Sequence, residues 1–196
     1  MKILAPDGDP IGKYIQNSGE YYEQDLLEDS KKYISTGDVI VDAGANIGNH
    51  TLYWSFFKCH IYAFEPNPKT FSYLTSNCEN NEKSNVVCHC IALYDKSGTG
   101  QLIETENAGE CRVKYGKGEI EFRTLDSYGL APRIVKIDVE GCEMNVLKGA
   151  VETLMKFHPI LYVEIKERLH EFDSFLLRLG YVRHEVYGFT PTYKYI

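Results

Sequence analysis

Three apolar runs in this chain, VIVDA, HIYAFE and RIVKID, lead into the carboxylates Asp42, Glu65 and Asp138. The first is followed by a glycine turn, Gly44-Ala45-Asn46-Ile47-Gly48. Gly44 allows a tight turn and a close approach of backbone to a ligand. Gly48 allows the helix that follows to pack near the strand. Glu65 lies about 20 residues beyond the turn, the position from which a carboxylate accepts both hydroxyls of a ribose. An adenosine-type cofactor is therefore expected in the cleft. A dinucleotide is disfavoured, because G-x-G-x-x-G needs a second glycine where Ala45 and Asn46 stand. No P-loop GK-[ST] is present either. Asp42 would repel phosphate but suits a cation or amine. S-adenosylmethionine, SAM, meets these conditions: an adenosine without phosphates, a sulfonium and an amino-acid tail.

Further titratable residues surround this core. Lys136 and Asp138 share one side of a strand that should be buried on both faces, where an unpaired charge is costly. A Lys–carboxylate pair is expected, with Asp42 or Glu164. Methyl transfer from a sulfonium depends on alignment of nucleophile, carbon and sulfur, and on a base for the acceptor hydroxyl. Asp138 is the first candidate base, then Glu140 and Glu164, with His50 behind them. The same three carboxylates could instead hold Mg²⁺ or Mn²⁺; sequence does not choose. His158 begins the strand that Glu164 ends, so it belongs on the opposite rim. The acceptor pocket is expected around Tyr21, Tyr22 and Glu23, the loop Ala108 to Lys117, and Tyr187, Tyr193 and Tyr195.

The elements that must position these groups alternate. EYYEQDLLEDSKKYI reads as helix from about Gln24, VIVDA as strand, Asn49 to Phe57 as helix, HIYAFEP as strand and PKTFSYLTSNCENN as helix. NVVCHCIALYD reads as one strand, GQLIETE and EIEFRTL as strands outside the main repeat, and VKYGKG as a solvated loop. RIVKIDVEG is a strand, GCEMNVLKGAVETLMKF one helix, HPILYVEIK a strand and HEFDSFLLRLG a helix stopped by Gly180. YVRHEVYG and TPTYKYI predict a closing hairpin. This pattern implies an α/β fold: a mostly parallel, doubly wound, Rossmann-like sheet with an antiparallel C-terminal hairpin.

At 196 residues the chain suits a single domain, 1–196, and 43% hydrophobic with 25% charged residues argues against disorder. A net charge of -7 provides no basic surplus for a nucleic-acid backbone. No apolar run reaches a membrane span and no signal peptide opens the chain, so a cytoplasmic location is expected. The six cysteines lack CxxC pairs, and reduced thiols without zinc are expected.

The strings DVIVDAGANIGNHTL, AFEPNPKTFSYLTSN, IALYDKSG, RTLD, VKIDVEGCEMNVLKGA and PILYVEI, in this order, resemble the FkbM family of SAM-dependent methyltransferases. The resemblance runs from about Gly19 to Gly180. Cys142 departs from the small residue common there, and His50 from a common aromatic. It implies a class I Rossmann-like methyltransferase acting on hydroxyls of sugars or natural products, with S-adenosylhomocysteine as product. Asp42, Gly44, Ala45, Asn46 and Gly48 would border the methionine part; Glu65 would hold the ribose; Pro66, Asn67 and Ala92 would pass beside the adenosine. Asp138 would lie near the sulfonium and the acceptor. A sugar of a glycan is the expected acceptor, and the chain could be one domain of a larger glycan-assembly enzyme. N-methylation, a small-molecule or protein acceptor, and a non-catalytic SAM-binding module are the competing readings.

Overall fold

The computed structural model describes residues 3–104, 111–188 and 190–196. The first half of the chain forms α1 (Pro10–Ser18), α2 (Gln24–Lys31), β1 (Val39–Ala43), α3 (Asn49–Trp54), β2 (His60–Phe64), α4 (Pro68–Asn80) and β3 (Val86–His89). Then come β4 (Ala92–Leu93), β5 (Gly98–Glu104), β6 (Cys111–Tyr115), β7 (Ile120–Arg123) and β8 (Pro132–Ile137). The last part holds α5 (Glu143–Lys148), α6 (Val151–Phe157), β9 (Ile160–Glu164), α7 (Leu169–Leu177), β10 (Arg183–Tyr187) and β11 (Thr192–Tyr195).

Seven strands make the main sheet in the order β10-β11-β9-β8-β1-β2-β3. All neighbours run parallel except at β11, which is antiparallel to both β9 and β10. Strand order reverses between β1 and β8, so a crevice opens at their carboxyl ends. The alternating side chains of the strands feed two faces. Val41, Val135, Leu161 and Val163 pack with Val146, Leu154 and Leu176 from α5, α6 and α7. Ile40, Ile134 and Tyr162 face the other way, onto Leu26 and Leu27 of α2 and Trp54 of α3. Burying each such side chain contributes about 1.5–3 kcal/mol. Among the described residues, no helix is long and apolar enough to cross a membrane.

Four details differ from the sequence reading. NVVCHCIALYD is two strands: β2 ends at Phe64, so the chain has no partner beyond His89 and moves to a second sheet, β4-β7-β5-β6. The first half of VKYGKG is strand, not loop, because β6 alternates exposed Arg112 and Lys114 with half-buried Val113 and Tyr115; Gly116 to Gly118 form the bend after it. The segment after Asp138 is two helices, not one. Gly149 separates them, and any Cβ there would lie 1.9 Å from the Tyr94 carbonyl oxygen. Finally, α1 was not expected, although Asp9 caps it, Pro10 starts it and Gly19 ends it in a left-handed conformation.

Gly44 is the tightest point of the crevice. Its φ is +78°, and an added Cβ would sit 1.7 Å from the Asp138 carbonyl oxygen. Gly44→Ala is expected to destabilise by about 2–4 kcal/mol. Thermal melts should show a drop of roughly 5–15 °C.

Candidate active site

The first turn is shaped by backbone hydrogen bonds across the crevice. The amides of Gly44 and Ala45 both donate to the Phe64 carbonyl, at 2.9 and 3.0 Å, and Asp138 N–H donates to Ala43 at 3.0 Å. Asn46 takes a left-handed φ of +50°, which aims its amide at the tip of β2. There it donates to Glu65 Oε2 at 3.0 Å, while Asn67 N–H donates to Oε1 at 2.9 Å. The Glu65 carboxylate is thus fixed by one amide per oxygen, leaving lone pairs for a diol. Burial pushes its pKa up to about 7, against those two amides.

Lys136 sits at the centre. Only 3% exposed, its ammonium lies 3.5 Å from Asp42 Oδ1, 3.3 Å from Asp138 Oδ2 and 3.2 Å from the Gly44 carbonyl. Burial works against this charge, but Asp138, Asp42 and Glu23 outweigh it and hold the lysine above its ordinary pKa. Burial likewise opposes ionisation of Asp138; Lys136 overcomes it and keeps that carboxyl below the usual range. Asp42 Oδ2 accepts from Thr51 Oγ1 at 2.6 Å. The expected pairing of Lys136 with Asp42 is present, and its other partner is Asp138 rather than Glu164.

A third cluster lies at the mouth. One oxygen each of Asp138, Glu140 and Glu164 fall within 4.8 Å of one another. Lys166 Nζ lies 2.6 Å from Glu140 and 3.3 Å from Glu164. Burial, with the charges of Asp138 and Glu140, pushes Glu164 up to about 8 despite Lys166. The loop carrying Asp138 and Glu140 is shaped by Glu143, whose Oε1 accepts the Val139 and Gly141 amides at 3.2 and 2.8 Å.

These groups surround a cavity of about 390 Å³, within the size range of small-ligand sites. Gly44, Ala45, Asn46, Glu65, Pro66, Ala92, Asp138, Glu140 and Glu164 line it. Asp42 lies behind the wall, fully buried. Gly48 supports it from beneath, against Leu74, and Asn67 caps α4. Tyr22, Glu23 and Val113 also line the cavity, whereas Ala108–Glu110 fall outside the described residues. The C-terminal tyrosines serve elsewhere: Tyr195 is buried and donates to Asp173, Tyr187 packs beside Tyr162, and Tyr193 faces Arg183. His158 stacks on Tyr181, away from the cavity.

Sequence reasoning missed Lys166 and Glu143, although each is a charge placed just after a strand-end carboxylate. The His50–Glu23 pair, at 3.1 Å, was also missed as a pair. Glu23 belongs to the N-terminal segment, which Asn49 holds in place through both the N–H and the carbonyl of Tyr22, each at 2.9 Å.

The donor set fits SAM. A buried carboxylate with spare lone pairs suits a ribose diol, and a wall of carboxylates suits a sulfonium and an ammonium better than a phosphate.

Two outcomes follow from the charges. Lys136→Met leaves Asp42 and Asp138 without their cation and should destabilise by about 3–5 kcal/mol in urea titrations. Glu164 has a folded-state pKa raised above its unfolded value near 4.5. The native state then binds more protons, so this group lowers stability as pH rises from about 4.5 to 8. Glu164→Gln should flatten that decline and melt above the wild type at pH 8.

Comparisons with known proteins agree with this geometry. A family model for the methyltransferase FkbM domain matches residues 42–183. The hexuronic acid methyltransferase AglP of Haloferax volcanii is 32% identical over 151 residues, covering 73% of this chain and 62% of that protein. The crystal structure of a methyltransferase FkbM from Methylobacillus flagellatus superposes with a TM-score of 0.64 at 20% identity, covering 83% of this chain and 44% of that one. Aeropyrum pernix fibrillarin, solved with natively bound S-adenosyl-L-methionine, gives 0.55 at 14% identity, over 83% and 67% of the two chains. The chain thus spans less than two thirds of the first two. Its sheet is that of the class I Rossmann-like methyltransferases, and the chain belongs to the FkbM methyltransferase family.

Proposed function

We propose that the chain is a SAM-dependent O-methyltransferase whose acceptor is a sugar hydroxyl of a glycan or glycoconjugate. The observation that carries this reading is the pairing of a diol-ready Glu65 with the carboxylates Asp138 and Glu164 in one cavity at the switch point of the sheet. The relative named a hexuronic acid methyltransferase supports a sugar acceptor, and the net charge of -7 makes a nucleic acid a poor one.

When bound, SAM supplies a methyl group activated by its sulfonium. Glu65 would hold the ribose, with Pro66 and Ala92 beside the adenosine and Gly44 to Asn46 beside the methionine end. Alignment of this kind contributes about 7–11 kcal/mol towards a barrier. The hydroxyl's proton must leave as the acceptor attacks. Asp138 stays ionised because Lys136 holds it so. Glu164, near 8, is closer to the value that suits a base at neutral pH. We assign proton acceptance to this pair, with Lys166, itself paired to Glu140, holding Glu164 in place.

A second reading rests on the same trio of carboxylates: a divalent cation could orient a sugar diol there. The Lys166 ammonium already occupies the space between Glu140 and Glu164 that a cation would take, which favours the metal-free reading. Rates unchanged after chelation would uphold the base, and loss restored by Mg²⁺ or Mn²⁺ would uphold the metal.

Mass spectrometry of candidate sugars incubated with labelled SAM tests the activity, and NMR of the product separates O- from N-methylation. Asp138→Asn should lower kcat by about 10²–10⁴-fold. The rate should climb with pH through a midpoint near 8 and level off above it, and Glu164→Gln should remove that climb. SAM binding without transfer to any acceptor would leave a silent binding module.

A further inference from the structure

Away from the cavity, a second groove opens between the C-terminal half of α4 and β3, the edge strand of the main sheet. Cys78 from the helix and Cys88 from the strand both line it, with Glu79, Glu82, Lys83 and Val86. The two sulfurs lie 4.0 Å apart, and both thiols are free. Cys78 is buried and Cys88 half-buried, so the groove reaches Cys88 first. Cys59 and Cys142 are engaged elsewhere, at the carbonyls of Trp54 and Val113.

We propose that Cys78 and Cys88 are a thiol-exchange site that takes small-molecule disulfides and closes reversibly into an intramolecular disulfide joining α4 to β3. The Cys88 thiolate attacks a sulfur of the oxidant, forming a mixed disulfide and releasing one thiolate. Cys78 loses its proton to solvent and attacks the Cys88 sulfur, expelling the second thiolate. Two electrons pass from the cysteine pair to the oxidant, which leaves as two thiols. The sulfur–sulfur contact favours this order, because the neighbouring Cys78 holds the Cys88 thiol below the ordinary cysteine range against burial. Closure brings the sulfurs from 4.0 Å to about 2 Å.

The link would join two supports of Glu65. Asn67, the cap of α4, donates its amide to the carboxylate, and His89, the neighbour of Cys88, accepts the Glu65 N–H at 3.0 Å. Oxidation therefore staples the wall that carries Glu65, through a groove whose lining shares no residue with the main cavity.

The test treats the full folded chain with oxidised glutathione. The expected product is a monomer lighter by about 2 Da, with peptides joined at Cys78 and Cys88, reversible by dithiothreitol. It should melt roughly 5 °C or more above the reduced chain. Cys88→Ser should abolish the link, and Cys78→Ser should stop at the mixed disulfide on Cys88. Cys90→Ser, two residues along, should leave the product unchanged. Stable glutathione adducts on the wild type, linkage through another cysteine, or an oxidised monomer without a higher Tm would each overturn the proposal.

Discussion

A buried ammonium between two strand tips holds this molecule's working end together. Lys136 comes from β8, and its partners Asp42 and Gly44 come from β1 and the turn after it. Where strand order reverses, neighbouring strands send their connections in opposite directions. Backbone bonding joins the β1 and β8 tips as far as Asp138 N–H on Ala43, and the ammonium adds a side-chain bridge beside it. It also sets the charge state of Asp138, so one interaction fixes both the width of the crevice and the chemistry of its floor. The cost of burying Lys136 and Asp42, with Asp138 half-buried beside them, is offset only because the charges are near one another and further bonded, as Asp42 is to Thr51.

The other side of the cavity is organised by neutral donors. Glu65 has amides at its oxygens rather than a cation, and its pKa rises with burial while that of Asp138 falls beside Lys136. Two carboxylates in one cavity thereby acquire different tasks: one ready to accept hydroxyls, one kept ionised. The Asp138–Glu164 pair repeats the contrast at the mouth. The wall nearest the amino terminus lies outside the family-matched residues 42–183. Tyr22 and Glu23 reach the cavity, where Asn49 grips the Tyr22 backbone.

Much of this was legible in the residues. The alternation of apolar runs and amphipathic segments fixed the parallel sheet, and Gly44 and Glu65 marked the cleft because only a tight turn and a strand-end carboxylate make sense there. Lys136 betrayed its partners because a charge inside a buried strand needs them. The expected tyrosines of the C-terminal hairpin failed for a physical reason: alternation sends Tyr195 into the core, and Tyr187 and Tyr193 pack on other rings and on Arg183. Lys166 stands two residues after its partner Glu164 and was readable there, whereas the His50–Glu23 pair was invisible because its meaning lies in a contact between residues distant in the chain. The need for glycine at the Gly149 break was hidden for the same reason, since the atom that leaves no room for a Cβ is the distant Tyr94 carbonyl oxygen. The helix α1 was readable from Asp9, Pro10 and Gly19, and simply lacks a long apolar stripe.

The proposed methyl transfer requires one contact above all, between a nucleoside's sugar and the carboxylate at the end of β2. A crystal structure of the chain with S-adenosylhomocysteine would show it directly. The prediction is both ribose hydroxyls within about 2.6–3.2 Å of Glu65, with the sulfur turned towards Asp138. A nucleoside seated elsewhere, or one in this cavity whose ribose leaves Glu65 without a partner, would contradict it.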